Sequence, residues 1–122
     1  MPELERLSVD EFKLSDKIPV VVVLDDVRSM NNVGSVFRTS DSFLIEAIYL
    51  CGYTPTPPHR DIQKTALGAT ETVAWKHVQS TIEAVEQLRH EGYKIISVEQ
   101  VHNSILLHEF EIEPGQKYAL VF

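Results

Sequence analysis

The fold class is decided by one short stretch, residues 18–24, which reads IPVVVVL. Such an unbroken β-branched run is typical of a strand that is buried on both faces of a parallel sheet. Polar Asp25 and Asp26 follow at once, so the strand ends in a polar loop. Three further strands are predicted from apolar stretches at residues 46–51 (EAIYLC), 93–98 (YKIISV) and 118–122 (YALVF).

Helical patterns lie between these strands. After the first strand, with Gly34 near the start, four apolar residues are spaced for one helical face: Val33, Val36, Phe37 and Leu44. Residues 80–83 have the Ser-x-x-Glu form of a capping box, which predicts a helix that runs until Gly92 stops it. Residues 8–11 have the same form and predict a short leading helix.

Strands that alternate with helices predict an α/β fold with an open, mostly parallel sheet and flanking helices. Ligands of such sheets bind at the carboxyl ends of strands, and the loop after Leu24 is one such end. The 122 residues allow one domain at most. We expect residues 1–17 to form a short leading helix or arm and residues 18–122 to form the domain itself.

The net charge of −7 argues against a general affinity for nucleic acid. Residues 28–77 nevertheless carry a net charge of +1, whereas the segments before and after each carry −4, so a polyanion would bind there. No run of 18 or more apolar residues is present, and we expect a cytoplasmic protein without a membrane partner. The single cysteine, Cys51, should lie at a strand end, and the five histidines show no metal-ligand spacing, so no metal is expected.

The candidate site is the polar segment after the first strand, which includes Asn31, Asn32, Gly34, Ser35, Arg38 and Thr39. A helix N-terminus with amides and hydroxyls suits a phosphate or a ribose, and a glycine permits close approach of the backbone. An arginine about one turn later could hold a phosphate through two parallel hydrogen bonds. Spacing alone leaves a second interpretation open, in which the asparagines are turn and cap residues and Arg38 is a solvated helix residue.

The string NVGSVFRT at residues 32–39, followed by Phe43, resembles the first motif of the SpoU (TrmH-like) family of RNA 2′-O-ribose methyltransferases, in the SPOUT superfamily. Residues 24–31 fit that motif as well, and residues 64–69 (KTALGA) resemble a later segment of the family. The resemblance implies the front portion of a trefoil-knotted domain, S-adenosylmethionine as the methyl donor, tRNA or rRNA as the acceptor and a homodimer. Asn32 and Arg38 match its catalytic pair.

Two further sets of candidate residues follow. The RNA-binding set comprises Arg28, Asn31, Gly34, Ser35, Thr39, Arg60 and Lys64; for Arg60 and Lys64, which follow a proline-rich loop, a solvated loop is the open alternative. Glu99 and Gln100, at the end of a predicted strand, would face the family's donor, and ordinary strand-end polar residues are the open alternative. The family's Gly-x-Glu loop and its later Asn- and Ser-bearing segment have no counterpart in the 122 residues, so we expect a partial domain that lacks the C-terminal knot, holds the donor poorly and is inactive alone.

An arginine side chain stays protonated in water, so we expect Arg38 to clamp an RNA phosphate beside the attacked ribose, with Asn32 as a positioning group. A base role for Arg38 remains open if a phosphate shares its proton. Two non-enzyme readings also remain open: an RNA-binding remnant that presents Arg28, Arg38 and Arg60, and a phosphate- or nucleotide-binding α/β module of another family.

Overall fold

A computed structural model describes residues 17–98 and 115–122 of the chain. The leading helix expected to start at residues 8–11 and the expected donor-side residues Glu99 and Gln100 lie outside these ranges. The described elements, in chain order, are β1 (Ile18–Asp25), α1 (Met30–Ser42), β2 (Ile45–Cys51), α2 (Arg60–Ala66), α3 (Ala69–Thr72), β3 (Ala74–Val78), α4 (Thr81–His90), β4 (Tyr93–Ser97) and β5 (Lys117–Val121).

The described strands form one five-stranded sheet in the order β3-β2-β1-β5-β4, and every neighbouring pair is parallel. This confirms the α/β fold with a parallel sheet and flanking helices. None of the helices in the described part of the chain is both long and apolar enough to span a bilayer.

β1 lies at the centre of the sheet because its side chains are buried on both faces. Val20, Val22 and Leu24 join a core cluster with α1, α2 and α3 on one face. Val21 and Val23 join a second cluster with Ala84 and Leu88 of α4 on the other face. The valine run in β1 therefore supplies both halves of the core, as its sequence indicates.

The helix caps follow the expected chemistry. Ser80 caps α4, and its side chain accepts a hydrogen bond from the backbone N–H of Glu83 at 3.3 Å. α4 ends at His90, and Gly92 adopts a left-handed conformation with φ of 95°. The helix start at Ser80 and the glycine stop are both confirmed.

Three features differ from the predictions. β3 was not expected, because its sequence AWKHV is short and exposes Ala74, Lys76 and His77 at a sheet edge. The short helices α2 and α3 were also not expected. Leu44 does not belong to the apolar face of α1; it follows the helix in a turn with φ of 57°.

The loops at the carboxyl ends of β1 and β2 are joined by Thr54, which is buried. Its hydroxyl donates to the carbonyl of Cys51 at 2.7 Å and accepts the backbone N–H of Val27 at 3.0 Å. The loop that leads into α1 is thus held against the neighbouring strand end.

Cys51 is the last residue of β2 and is fully buried, as expected for a strand-end cysteine. Burial raises the pKa of its thiol from 9.0 to about 11. At pH 8 the folded chain should therefore hold about 100-fold less thiolate than the unfolded chain. We expect iodoacetamide to alkylate native Cys51 at least that much more slowly than Cys51 in urea, as followed by mass spectrometry. Similar rates in the two states would contradict this burial.

Leu67 caps the end of α2 in a left-handed conformation with φ of 51°, although its side chain is 65% exposed. This conformation costs an L-residue about 1–2 kcal/mol, and asparagine tolerates it better than leucine. We expect Leu67→Asn to raise the free energy of unfolding by about 0.5 kcal/mol in urea titrations. Leu67→Ala is the matched control, because it removes the same exposed side chain without relieving the backbone. An equal gain for both variants would show that the backbone conformation is not the cause.

Candidate RNA-binding site

Helix α1 begins with Ser29 as its N-cap, and the Ser29 Oγ accepts the backbone N–H of Asn32 at 3.2 Å. Asn31 and Asn32 therefore lie inside the first turn of the helix, and neither of them is the cap. Both asparagine side chains are exposed. Because Ser29 supplies the cap, the asparagines do not have the capping role that the second interpretation gave them.

One face of α1 is polar and the opposite face is buried. The exposed residues fall within an arc of roughly 120°, at 3.6 residues per turn; they are Asn31, Asn32, Ser35, Arg38, Thr39 and Ser42. The buried residues of the helix are Val33, Gly34, Phe37 and Ser40. The amides, hydroxyls and guanidinium of the motif thus share one solvent-facing surface.

Gly34 lies on the buried side, against α2. A Cβ atom at this position would meet the Thr65 Oγ1 at 1.9 Å and the carbonyl oxygen of Ile62 at 2.4 Å. The Thr65 hydroxyl also donates to the carbonyl of Asn31 at 3.0 Å, which ties α2 to the first turn of α1. The close approach that glycine allows here is made by α2, which corrects the expectation that a ligand would make it.

A cavity of about 420 Å³ lies between the polar face of α1 and the end of α2. We call it the Arg38 cavity; it is lined by Ser35, Arg38, Thr39, Ser42, Phe43, Lys64, Thr65 and Leu67. Its lining contains two cations, four hydroxyl groups and no carboxylate. Such a set can bind an anion with several oxygens, because cations and hydroxyl groups donate hydrogen bonds to phosphate.

Asp41, which lies on the same helix, is held away from this role. Its carboxylate accepts a hydrogen bond from the Thr72 hydroxyl of α3 at 2.8 Å and it does not line the cavity. The positive character of the Arg38 cavity is therefore not offset by a carboxylate in its wall.

The Arg38 cavity brings together only some of the residues expected from the sequence. Ser35, Arg38, Thr39 and Lys64 line it, whereas Arg28, Asn31, Asn32, Gly34 and Arg60 do not. Asn32 precedes Arg38 by six residues, which is about 9 Å along a helix axis. These two side chains would therefore contact different groups of one ligand.

Two of the remaining polar residues have contacts of their own. The guanidinium of Arg28 lies 5.1 Å from the ring centroid of Tyr53, at the carboxyl edge of the sheet. His59 caps α2, and its Nδ1 accepts the backbone N–H of Asp61 at 3.1 Å. Within the described ranges, no three histidine, cysteine, aspartate or glutamate side chains are grouped so as to bind a metal ion.

Four residues of the Arg38 cavity were not singled out as site residues from the sequence: Ser42, Phe43, Thr65 and Leu67. Ser42 carried a usable signal, because it follows Arg38 by four residues and so shares its helical face. Phe43 ends the motif but gave no sign of pointing into a polar cavity. Thr65 and Leu67 depend on how α2 packs, which no local pattern reveals.

The chain is similar to a known protein family and to curated proteins. A model described as the SpoU rRNA Methylase family matches residues 19–122. The chain is 27% identical over 90 residues to "23S rRNA (guanosine-2'-O-)-methyltransferase RlmB" of Neisseria meningitidis, with 74% of this chain and 36% of that protein covered. The chain therefore spans about 36% of the length of such a curated relative.

Solved structures show the same fold. An AdoMet-bound rRNA methyltransferase from Sinorhizobium meliloti matches with a TM-score of 0.71 at 17% identity, over 90% of this chain and 42% of that one. A TrmH/SpoU tRNA modifying enzyme from A. aeolicus matches with a TM-score of 0.69 at 15% identity, over 93% of this chain and 57% of that one. Because the family model covers nearly the whole described domain, the chain belongs to the SpoU rRNA methylase family.

Proposed function

We propose that the complete protein transfers a methyl group from S-adenosylmethionine to a ribose 2′-hydroxyl of tRNA or rRNA, and that residues 18–122 contribute the acceptor side of the site. The observation that carries this proposal is the Arg38 cavity, which is rich in cations and hydroxyl groups and lies on a SpoU-family chain. The relative from N. meningitidis is named as a 2′-O-methyltransferase of rRNA, which supports the choice of the ribose hydroxyl.

Arg38 and Asn32 have separate roles in this proposal. A 2′-hydroxyl is a weak nucleophile, so the site must orient it toward the donor methyl and stabilise the charge that develops on it. Arg38, with Lys64 in the same cavity, clamps the phosphate beside the attacked ribose. Asn32, about two turns earlier on the helix, positions a ribose or base group that lies outside the cavity.

The other polar residues would contact flanking nucleotides. Ser35 and Thr39 line the cavity with Arg38 and would bind the same nucleotide. Exposed Arg28, Asn31 and Arg60 lie outside the cavity and would bind neighbouring phosphates. Gly34 acts indirectly, because its contact with α2 sets the distance between Arg38 and Lys64.

S-adenosylmethionine does not fit the Arg38 cavity. Its sulfonium is positively charged, and the cavity is lined by two cations and by no carboxylate. We therefore propose that the donor binds elsewhere, with Glu99 and Gln100 on its side as the sequence predicts. The complete protein would act as a homodimer in the cytoplasm, and the 122-residue chain by itself would show no turnover.

The direct test supplies the complete protein with S-adenosylmethionine carrying a labelled methyl group and with tRNA and rRNA transcripts. Nuclease digestion should recover the label in 2′-O-methylated nucleosides, and transcripts with a 2′-deoxy residue at the modified position should accept none. Label on a base would contradict ribose specificity. RNA binding without any transfer would favour the RNA-binding remnant.

Because the chain belongs to the SpoU family, the hypothesis of a phosphate- or nucleotide-binding module from another family is rejected.

A further inference from the structure

Two large apolar side chains border the otherwise polar Arg38 cavity. Phe43 and Leu67 line it together with Arg38 and Lys64, and each is 65% exposed to solvent. Phe43 directly follows α1, and Leu67 directly follows α2, so each lies where its helix ends. Exposed apolar groups beside phosphate-binding cations indicate a ligand that has both an anionic part and a flat apolar part.

The backbone at Leu67 sets where this side chain lies. Leu67 caps α2 with φ of 51°, and its backbone N–H donates to the carbonyl of Gln63 at 3.2 Å. The conformation directs the chain of α2 past the cavity and leaves the Leu67 side chain in the cavity wall.

We propose that Phe43 and Leu67 hold the base of the RNA nucleotide whose phosphate is bound by Arg38 and Lys64. This inference rests on the proposed function and adds the base contact to it. A base presents an apolar π-face, and an aromatic side chain stacks on any base with little sequence preference. The pair would therefore supply affinity and would fix the nucleotide, while sequence would be read elsewhere.

The competing explanation for Phe43 is protein packing. Phe43 also borders an apolar groove of about 610 Å³ along α1, β1 and β5, together with Val36, Tyr118 and Leu120. Protein packed in that groove would cover the ring without any contact with RNA. The two explanations differ in their effect on binding, because only the base contact makes RNA affinity depend on Phe43 and Leu67 together.

The test measures fluorescence anisotropy of a labelled single-stranded RNA octamer with the 122-residue chain at low salt. Phe43→Ala and Leu67→Asn should each weaken binding at least about fivefold, and Phe43→Tyr should retain it. An octamer with abasic central positions should bind the wild type and Phe43→Ala with equal affinity, because it offers no base to stack on the ring. Thermal melts would show that each variant is folded.

Two control variants separate this contact from the others. Ile82→Ala removes an apolar side chain that is 75% exposed on α4, on the opposite face of the sheet. This variant should bind the octamer with the affinity of the wild type. Lys64→Gln should weaken binding and lower the slope of log affinity against log salt by about 0.7, the value for one phosphate contact on a single strand. Phe43→Ala should leave that slope unchanged.

The outcomes distinguish a failure of the base contact from a failure of the proposed acceptor site. Unchanged octamer affinity in Phe43→Ala and Leu67→Asn, with a loss in Lys64→Gln, would overturn the base contact and leave the proposed acceptor site standing. No salt-sensitive binding by the wild type would overturn both. Loss of affinity for the intact octamer alone, with the abasic octamer unaffected, is the expected result.

Discussion

Replacing Gly34 by alanine is expected to lower the free energy of unfolding by about 2 kcal/mol or more. The added Cβ would lie 1.9 Å from the Thr65 Oγ1 and 2.4 Å from the backbone carbonyl of Ile62. The Thr65 side chain can turn away, but the Ile62 carbonyl moves only if α2 shifts. The loss should exceed the gain of roughly 1 kcal/mol that alanine has over glycine inside a helix. Urea unfolding of the wild type and of Gly34→Ala measures this difference in the free energy of unfolding.

Ser35→Ala is the matched control for this change, since residue 35 is the next residue of the same helix and is exposed. It should alter the free energy of unfolding by less than about 0.5 kcal/mol. In a Thr65→Ala background, Gly34→Ala should lower the free energy of unfolding by a smaller amount. Part of the loss should persist, because the Ile62 carbonyl remains close to the added Cβ. A Gly34→Ala chain as stable as the wild type would show that α1 and α2 are not in close contact.

Replacing Arg38 by lysine in the complete protein is expected to lower turnover by about 100-fold or more and to leave RNA affinity within about tenfold of the wild type. Lysine keeps the positive charge that attracts RNA, and Lys64 remains in the same cavity. Lysine lacks the planar fork that binds two phosphate oxygens at once and so fixes the adjacent ribose. Methyl transfer at saturating RNA gives the turnover, and anisotropy gives the affinity.

Arg89→Lys is the control for this substitution, because Arg89 lies on α4, on the opposite face of the sheet, and pairs with Glu86. Neither turnover nor RNA affinity should change. Loss of turnover and of affinity by the same factor in Arg38→Lys would refute the claim that the Arg38 guanidinium orients the ribose, since it would then serve RNA binding alone.

The centre of the fold could be predicted because its signal is local. The run of valines in β1 is apolar at every position, since both faces of that strand are buried. The start and the end of α4 are indicated by Ser80 and Gly92, which lie beside the helix in the sequence. β3 could not be predicted in the same way, because an edge strand exposes polar residues and its sequence loses the apolar run. α2 has seven residues, too few to show a helical period.

The same division holds for the candidate site. Ser35, Arg38 and Thr39 could be predicted together because helical spacing alone places them on one face of α1. Thr65 and Leu67 could not, since they reach the cavity only when α2 packs against Gly34. The sequence also suggested an open approach at Gly34, because a glycine that admits a ligand and a glycine that admits a helix look alike in a single sequence.

The central claim is that RNA binds on the polar face of α1 and in the Arg38 cavity. A titration of the isotopically labelled 122-residue chain with the single-stranded RNA octamer, followed by backbone amide chemical shifts, tests it most directly. The largest shifts are predicted at Asn32, Ser35, Arg38, Thr39 and Lys64, with small shifts along α4. Shifts concentrated on α4 or along the β3 edge, with α1 unchanged, would contradict it.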